Sequence, residues 1–271
     1  GGGGGEEEEE EEAGYDLFAA CVAGDEEEDD PSQWEPLKLA PPGVCDLPEV
    51  FIHRCLAQCW ASARLLAEWL LGPGRPHVEG VSLVVELGAS LGIPSLAASL
   101  AGAGRCVATD LYPGGRAEAL ESTVAFNRRA SNRPELFRNV SAARLDWFAF
   151  AAASPSAPSA APSDAAAEAL RGAADVVLCA DVIYERRAGP AIAAAAEALL
   201  RPGGTLVFAS RYGRVGLDLF LEAAPAAGLA PRCEAPLRSD ALELGLTEED
   251  PHGLWLFDKK PPAPAPQKSK K

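Results

Sequence analysis

Four acids stand at or near the ends of short apolar runs: Glu86 after Leu83-Val84-Val85, Asp110 after Cys106 to Thr109, Asp146 after Asn139 to Leu145, and Asp181 after Asp175 to Ala180. Runs this brief are too short for helices and read as buried strands. In a doubly wound α/β sheet the ligand crevice lies at the carboxyl ends of the strands, so acids at four successive ends predict a polar rim suited to a cationic ligand. Glu86-Leu87-Gly88-Ala89-Ser90-Leu91-Gly92 is a glycine-bearing turn, Pro94 suits the first turn of a helix, Leu96 to Leu100 continue it, and Gly102 and Gly104 stop it. Strand, glycine turn, helix, strand and acid make the first half of a nucleotide-binding unit, with Asp110 placed for ribose hydroxyls. No G-x-G-x-x-G accompanies Gly88. A nicotinamide-dependent oxidoreductase is therefore kept open only by Asp110 lying 22 residues after Gly88. Every βαβ unit needs glycines to turn, so a bare scaffold is the plain alternative for this stretch.

The elements that must position these residues can be followed along the chain. A helix is expected from about Val50, with Cys59/Trp60, Ala63, Leu66/Ala67 and Leu70 at helical spacing and Gly72-Pro73-Gly74 ending it. Trp60 reads as core from the residues alone; its ring face could equally wall a site for a sulfonium, as for other cations. Ala117 to Arg129 reads as a helix with Leu120, Val124 and Asn127 inward, and Asn139 to Leu145 as a weaker third strand. After the fourth strand, Asp175 to Ala180, a helix through Ile192 and Leu199 closes on the turn Arg201-Pro202-Gly203-Gly204, and Thr205 to Ser210 is the fifth strand. Gly216 to Ala227 is a helix, and Ala230 to Leu237 with Gly253 to Phe257 form an antiparallel edge pair. The predicted fold is a single-domain, doubly wound, Rossmann-like α/β sheet of seven mostly parallel strands with an antiparallel C-terminal edge.

Of 271 residues 48% are hydrophobic, enough for a full core. The net charge of −16 is localised: residues 1–30 carry 14 acids and no Lys or Arg, leaving 26 acids against 24 bases elsewhere. No domain-wide basic footprint for nucleic acid follows. Residues 1–48 read as an acidic, then proline-rich, disordered or extended arm; 49–258 as the domain, interrupted by the Ala/Ser/Pro-rich surface insert 151–167; and 259–271 as a basic, proline-rich tail. Seven cysteines without C-x-x-C spacing read as reduced intracellular thiols, and no metal site is expected. No apolar run approaches the roughly 20 residues of a membrane span. The chain contains no methionine, even at position 1, which reads as a fragment or processed form. A cytoplasmic monomer is expected, with the nucleus as a second location.

Six segments occur in an order that resembles a known family: W-A-S-A-R-L-L-A at 60–67, E-L-G-A-S-L-G-I-P at 86–94, A-T-D at 108–110, L-D-W at 145–147, A-D-V-I-Y at 180–184 and L-R-P-G-G-T-L at 200–206. Together they look like the class I, seven-strand methyltransferases of methyltransferase family 16, best known for protein-lysine methylation, over about Val50 to Phe257. The resemblance implies S-adenosylmethionine as cofactor and a protein lysine as acceptor. In the cofactor site it implies that Trp60 borders the molecule, that Glu86, Gly88, Ala89 and Ser90 form the motif along its amino-acid end, and that Asp110 takes the ribose. The resemblance also implies that Trp147 packs near adenine and that Ala180 lines the floor. Asp181 and Tyr184 match the D-x-x-Y motif at the mouth, with Asp181 expected to orient the amine and Tyr184 to shape the channel. The plainer alternative has Asp181 capping its turn and Tyr184 in the core. Ser90 departs from the usual glycine and puts cofactor affinity in question, as the long insert does substrate choice. Methylation of a small amine or a protein N-terminus, and a non-catalytic scaffold, are the other readings.

Overall fold

The computed structural model describes residues 31–37, 39, 48–53, 59–111, 116–130, 135–152, 165–238 and 251–261. Along them run β1 (Trp34–Leu37), β2 (Val50–His53), α1 (Ala61–Leu71), β3 (Leu83–Leu87), α2 (Ile93–Leu100), β4 (Arg105–Asp110), α3 (Arg116–Ala130), β5 (Val140–Arg144), α4 (Trp147–Ala152), α5 (Ala165–Glu168), β6 (Ala174–Ala180), α6 (Ala188–Leu199), β7 (Leu200–Arg211), α7 (Leu217–Ala226), β8 (Leu229–Leu237) and β9 (His252–Lys259). β3, Leu-Val-Val-Glu-Leu, is buried at every position, as a central parallel strand covered on both faces must be. Its side chains alternate between two apolar clusters: Leu83, Val85 and Leu87 face one, Val84 the other. β6 repeats the pattern, with Val176, Leu178 and Ala180 on one side and Val177 and Cys179 on the other.

One face is covered by α1, α2 and α3 through Leu66, Leu70, Leu96 and Leu120, the opposite face by α4, α6 and α7 through Phe150, Ile192 and Phe220. Each large apolar side chain taken out of water contributes roughly 1.5–3 kcal/mol. The strand order is β5-β4-β3-β6-β7-β9-β8, parallel from β5 through β7 and antiparallel at β7–β9 and β8–β9. The winding reverses between β3 and β6, since β4 and β5 extend the sheet on one side and β6 and β7 on the other. That switch point is where the carboxyl ends of an open sheet leave a crevice. The seven strands and their antiparallel edge match the sequence reading.

Four expectations about the elements are corrected. Val50–His53 is not the start of a helix but a strand, paired antiparallel to β1 with Trp34 opposite His53. Its Val-Phe-Ile-His residues are β-branched and aromatic, and α1 begins only at Ala61. Arg201 to Gly204 does not precede the fifth strand but lies within β7, where the register jumps from Ala174↔Leu200 to Val176↔Thr205. The 151–167 stretch is helical at both flanks, with Ala167 buried, and its middle, 153–164, lies outside the described residues. Lys259 belongs to the fold rather than to the tail: its Nζ donates to the carbonyls of Glu197 and Leu200 at 2.7 and 2.8 Å. The acidic segment 1–30, Cys55 and the tail from 262 lie outside the described residues. No helix among the described residues is long and apolar enough to cross a membrane.

Candidate functional site

A cleft opens at the switch point, between the turn that follows β3, the last residue of β6 and the residues leading into α1. Trp60, Glu86, Gly88, Ala89, Ser90 and Ala180 all line it. They are six of the eight residues expected to hold the cofactor. The turn that shapes it needs two left-handed glycines. Gly88 has φ +63°, and a Cβ there would lie 2.8 Å from Val182 and 3.0 Å from the Trp147 ring; Gly92, at φ +71° before α2, would drive one to 2.8 Å from Leu120. Ser90 is also left-handed, at φ +48°, although it carries a side chain. That conformation costs a non-glycine residue roughly 1–2 kcal/mol. The Ser90 N–H donates to Asp110 Oδ2 at 2.8 Å, which holds the turn in this shape.

Each of the four acids has a partner of its own, and Glu86 lines the cleft while Asp110 holds its turn through Ser90. Glu86 is 1% exposed, on the inner face of β3, and its Oε2 accepts the Ser95 N–H at 2.9 Å and the Ser95 hydroxyl at 2.5 Å at the start of α2. Burial pushes its carboxyl up to about 8, against the lowering effect of both Ser95 bonds, with nearby Asp110 adding to the rise. Asp110 also accepts the Leu111 N–H through Oδ1 at 2.7 Å. Each carboxylate oxygen has a second lone pair, so a ribose hydroxyl can still be met there. Asp146 accepts the N–H groups of Phe148 and Ala149 at 2.9 and 3.3 Å and so caps α4. Asp181, left-handed at φ +55°, pairs through Oδ1 with Arg214 Nε at 3.1 Å.

The aromatic residues divide between wall and mouth. Trp60, read as core from the residues alone, is 43% exposed and borders the cleft, with the Arg214 guanidinium carbon 5.5 Å from its ring centre. Tyr184 is 49% exposed, which removes it from the core, and its ring stands 6.4 Å from that of Trp147. Trp147 is buried behind Gly88 rather than along the cleft, and its Nε1–H has no acceptor among the described residues. Sequence reasoning missed Cys59, Ala63, Leu91 and Ile93, which complete the cleft wall, and Arg214. Burial pushes the Cys59 thiol up to about 11, so it lines the wall as an uncharged group. No cluster of His, Cys, Asp or Glu suited to a metal occurs among the described residues.

These residues fit S-adenosylmethionine. Glu86 lines the cleft and its Oε1 accepts no bond among the described residues, so an ammonium can be met there, and the exposed Trp60 face at the cleft's border suits a sulfonium. Comparison with known proteins agrees. No curated protein matches the chain by sequence. Among solved structures, a transferase of Pyrococcus horikoshii is 14% identical with a TM-score of 0.50, over 78% of this chain and 69% of its own. A chain from the complex between the Haloferax volcanii Trm112 methyltransferase activator and a methyltransferase is 17% identical at 0.50, over 73% and 90%. An arsenic(III) S-adenosylmethionine methyltransferase from Chlamydomonas reinhardtii is 18% identical at 0.46, over 69% and 66%, so this chain spans about two thirds of its length. Likeness at this level of identity speaks to the fold. The family model described as lysine methyltransferase matches residues 46–225. With well over half of its length inside that match, the chain belongs to this family of S-adenosylmethionine-dependent methyltransferases.

Proposed function

We propose that the protein transfers the methyl group of S-adenosylmethionine to the ε-amino group of a lysine in a protein substrate. The observation that carries the reading is where the surface is apolar. The large hydrophobic side chains that the described residues leave exposed are Trp60, Tyr184 and Val215. Trp60 lies 5.5 Å from the guanidinium carbon of the arginine that pairs with Asp181, Tyr184 follows Asp181 by three residues and packs near Trp147, and Val215 follows Arg214 in the chain. Exposed apolar side chains on the segments that carry a buried acid suit a macromolecule presenting one cationic side chain, and a small amine has no need of them.

When bound, S-adenosylmethionine supplies a methyl group on a sulfonium, an electrophile that requires a neutral, well-aligned nucleophile. The residues of this chain provide that alignment. Gly88, Ala89 and Ser90 present backbone to the cofactor's amino-acid end, Glu86 offers it a carboxyl oxygen, and Asp110 the ribose anchor. Tyr184 and Trp60 enclose the lysine stem, and the loss of water lowers its ammonium pKa from about 10.4. Asp181 takes a hydrogen bond from the amine and orients it, so that most of the rate comes from position.

The test uses the full chain. Calorimetry should show S-adenosylmethionine binding, and tritium-labelled cofactor should label proteins in a cell lysate. Asp181→Ala should keep the binding heat and lose transfer by about a hundredfold. Binding without label on any protein would favour a small-molecule acceptor, and no heat at high cofactor concentration a scaffold.

A further inference from the structure

Resting on the lysine reading above, we infer that Arg214 is a positioning residue of the acceptor site, fixing one oxygen of Asp181 so that the other is presented to the incoming amine. Asp181 has a side chain only 5% exposed, and Oδ1 is held by Arg214 Nε at 3.1 Å while Oδ2 accepts no hydrogen bond among the described residues. A carboxylate held by one edge cannot rotate freely about its last bond, so the direction of its remaining lone pairs is set before an acceptor arrives. The backbone adds a second constraint. Asp181 is one of three non-glycine residues with positive φ among those described, and its N–H donates to the Ala209 carbonyl at 2.9 Å, which ties the turn after β6 to β7. Strain of this kind persists where the surroundings over-determine a conformation, and it gathers at working sites.

Arg214 is itself held. It sits in the short loop between β7 and α7, flanked by left-handed Gly213 and Gly216, and the Leu217 N–H donates to its carbonyl at 3.1 Å. Its guanidinium carbon lies 5.5 Å from the centre of the Trp60 ring. One cation therefore joins the acid after β6 to the aromatic wall before α1, across the mouth through which the acceptor comes. The other acids near the mouth have partners of their own: Glu185 pairs with Arg187 and Asp218 with Arg186. Asp181 and Arg214 are the pair that reaches the cleft wall, through the Trp60 ring. A lysine reaching Oδ2 also meets a carboxylate whose charge is already balanced, so it is oriented without being strongly held as an ammonium.

The experiment measures tritium transfer from labelled S-adenosylmethionine to lysate proteins at varied lysate concentration, with cofactor affinity from calorimetry and thermal unfolding measured in parallel. Arg214→Gln should lower the rate at saturating lysate about tenfold. The half-saturating lysate concentration and cofactor affinity should each move less than about threefold, and Arg214→Lys, which keeps the charge, should recover much of the rate. A faster rate in Arg214→Gln at low lysate would mean that the arginine obstructs the site, and it would overturn the inference. So would an equal loss in both variants accompanied by weakened cofactor binding or a lower unfolding temperature, since that pattern belongs to a structural prop. Absence of transfer by the unsubstituted protein overturns the lysine reading itself, whereas transfer that is unaffected by Arg214→Gln overturns this inference alone.

Discussion

A carboxyl group sealed on the inner face of a central strand ionises only against the cost of leaving water, and the two bonds that Glu86 accepts from Ser95 offset only part of that cost. Its carboxyl is pushed up to about 8 from 4.5, so between those values the folded protein binds a proton that the unfolded chain has released. The stability Glu86 contributes is therefore full below about pH 4.5 and is lost as pH rises through 8. The cofactor-free protein should show an unfolding temperature that falls from pH 5 to 8, and Glu86→Gln, neutral throughout and able to accept from Ser95, should remove that part of the slope. Identical slopes for the two proteins would show that Glu86 is ionised in the fold. Sequence spacing placed this acid at a strand end and no further; whether it faces water or the back of a helix depends on α2, whose Ser95 carries no motif signal. Arg214 was invisible for the same reason: it lies 33 residues from Asp181 in a loop without periodicity.

The elements show the same division between local pattern and tertiary contact. Leu83-Val84-Val85, the glycine turn and the helix after Pro94 are specified within a few residues, and the structure has them where the pattern puts them. Val50–His53 is a strand although helical spacing begins close after it at Trp60, because its partner strand lies before it in the chain. What fixes β2 comes from far along the chain. Asn127 of α3 accepts the Phe51 N–H at 2.7 Å and donates to the Phe51 carbonyl at 2.8 Å, in place of a neighbouring strand. Trp34 of β1 stacks on Phe126 with ring centres 4.0 Å apart. Asn127 is 1% exposed, so truncating it strands buried polar groups. Asn127→Ala should lower stability by about 2 kcal/mol in denaturant titration, and Asn127→Asp, which turns an acceptor oxygen toward the Phe51 and Thr123 carbonyls, should lower it at least as much. A loss under about 0.5 kcal/mol would mean that water serves the strand as well as Asn127 does.

At the scale of the molecule, one sheet brings together groups from opposite ends of the chain: Trp60 from before α1, the Gly88 turn, Ala180 and Asp181 from the end of β6, and Arg214 from beyond β7. The order of motifs along the sequence is enough to give a doubly wound, mostly parallel sheet with an antiparallel C-terminal edge, and a sheet of that kind carries its crevice at the switch point. The pairing of Asp181 with Arg214 and the exposure of Trp60 were not legible, since both depend on how loops from different strands meet. Lysate proteins labelled by the full chain with tritiated S-adenosylmethionine should be hydrolysed in acid and their amino acids separated. Label should run with methylated lysine and be lost with Asp181→Ala; label on another amino acid, or retained in full by Asp181→Ala, would contradict the account.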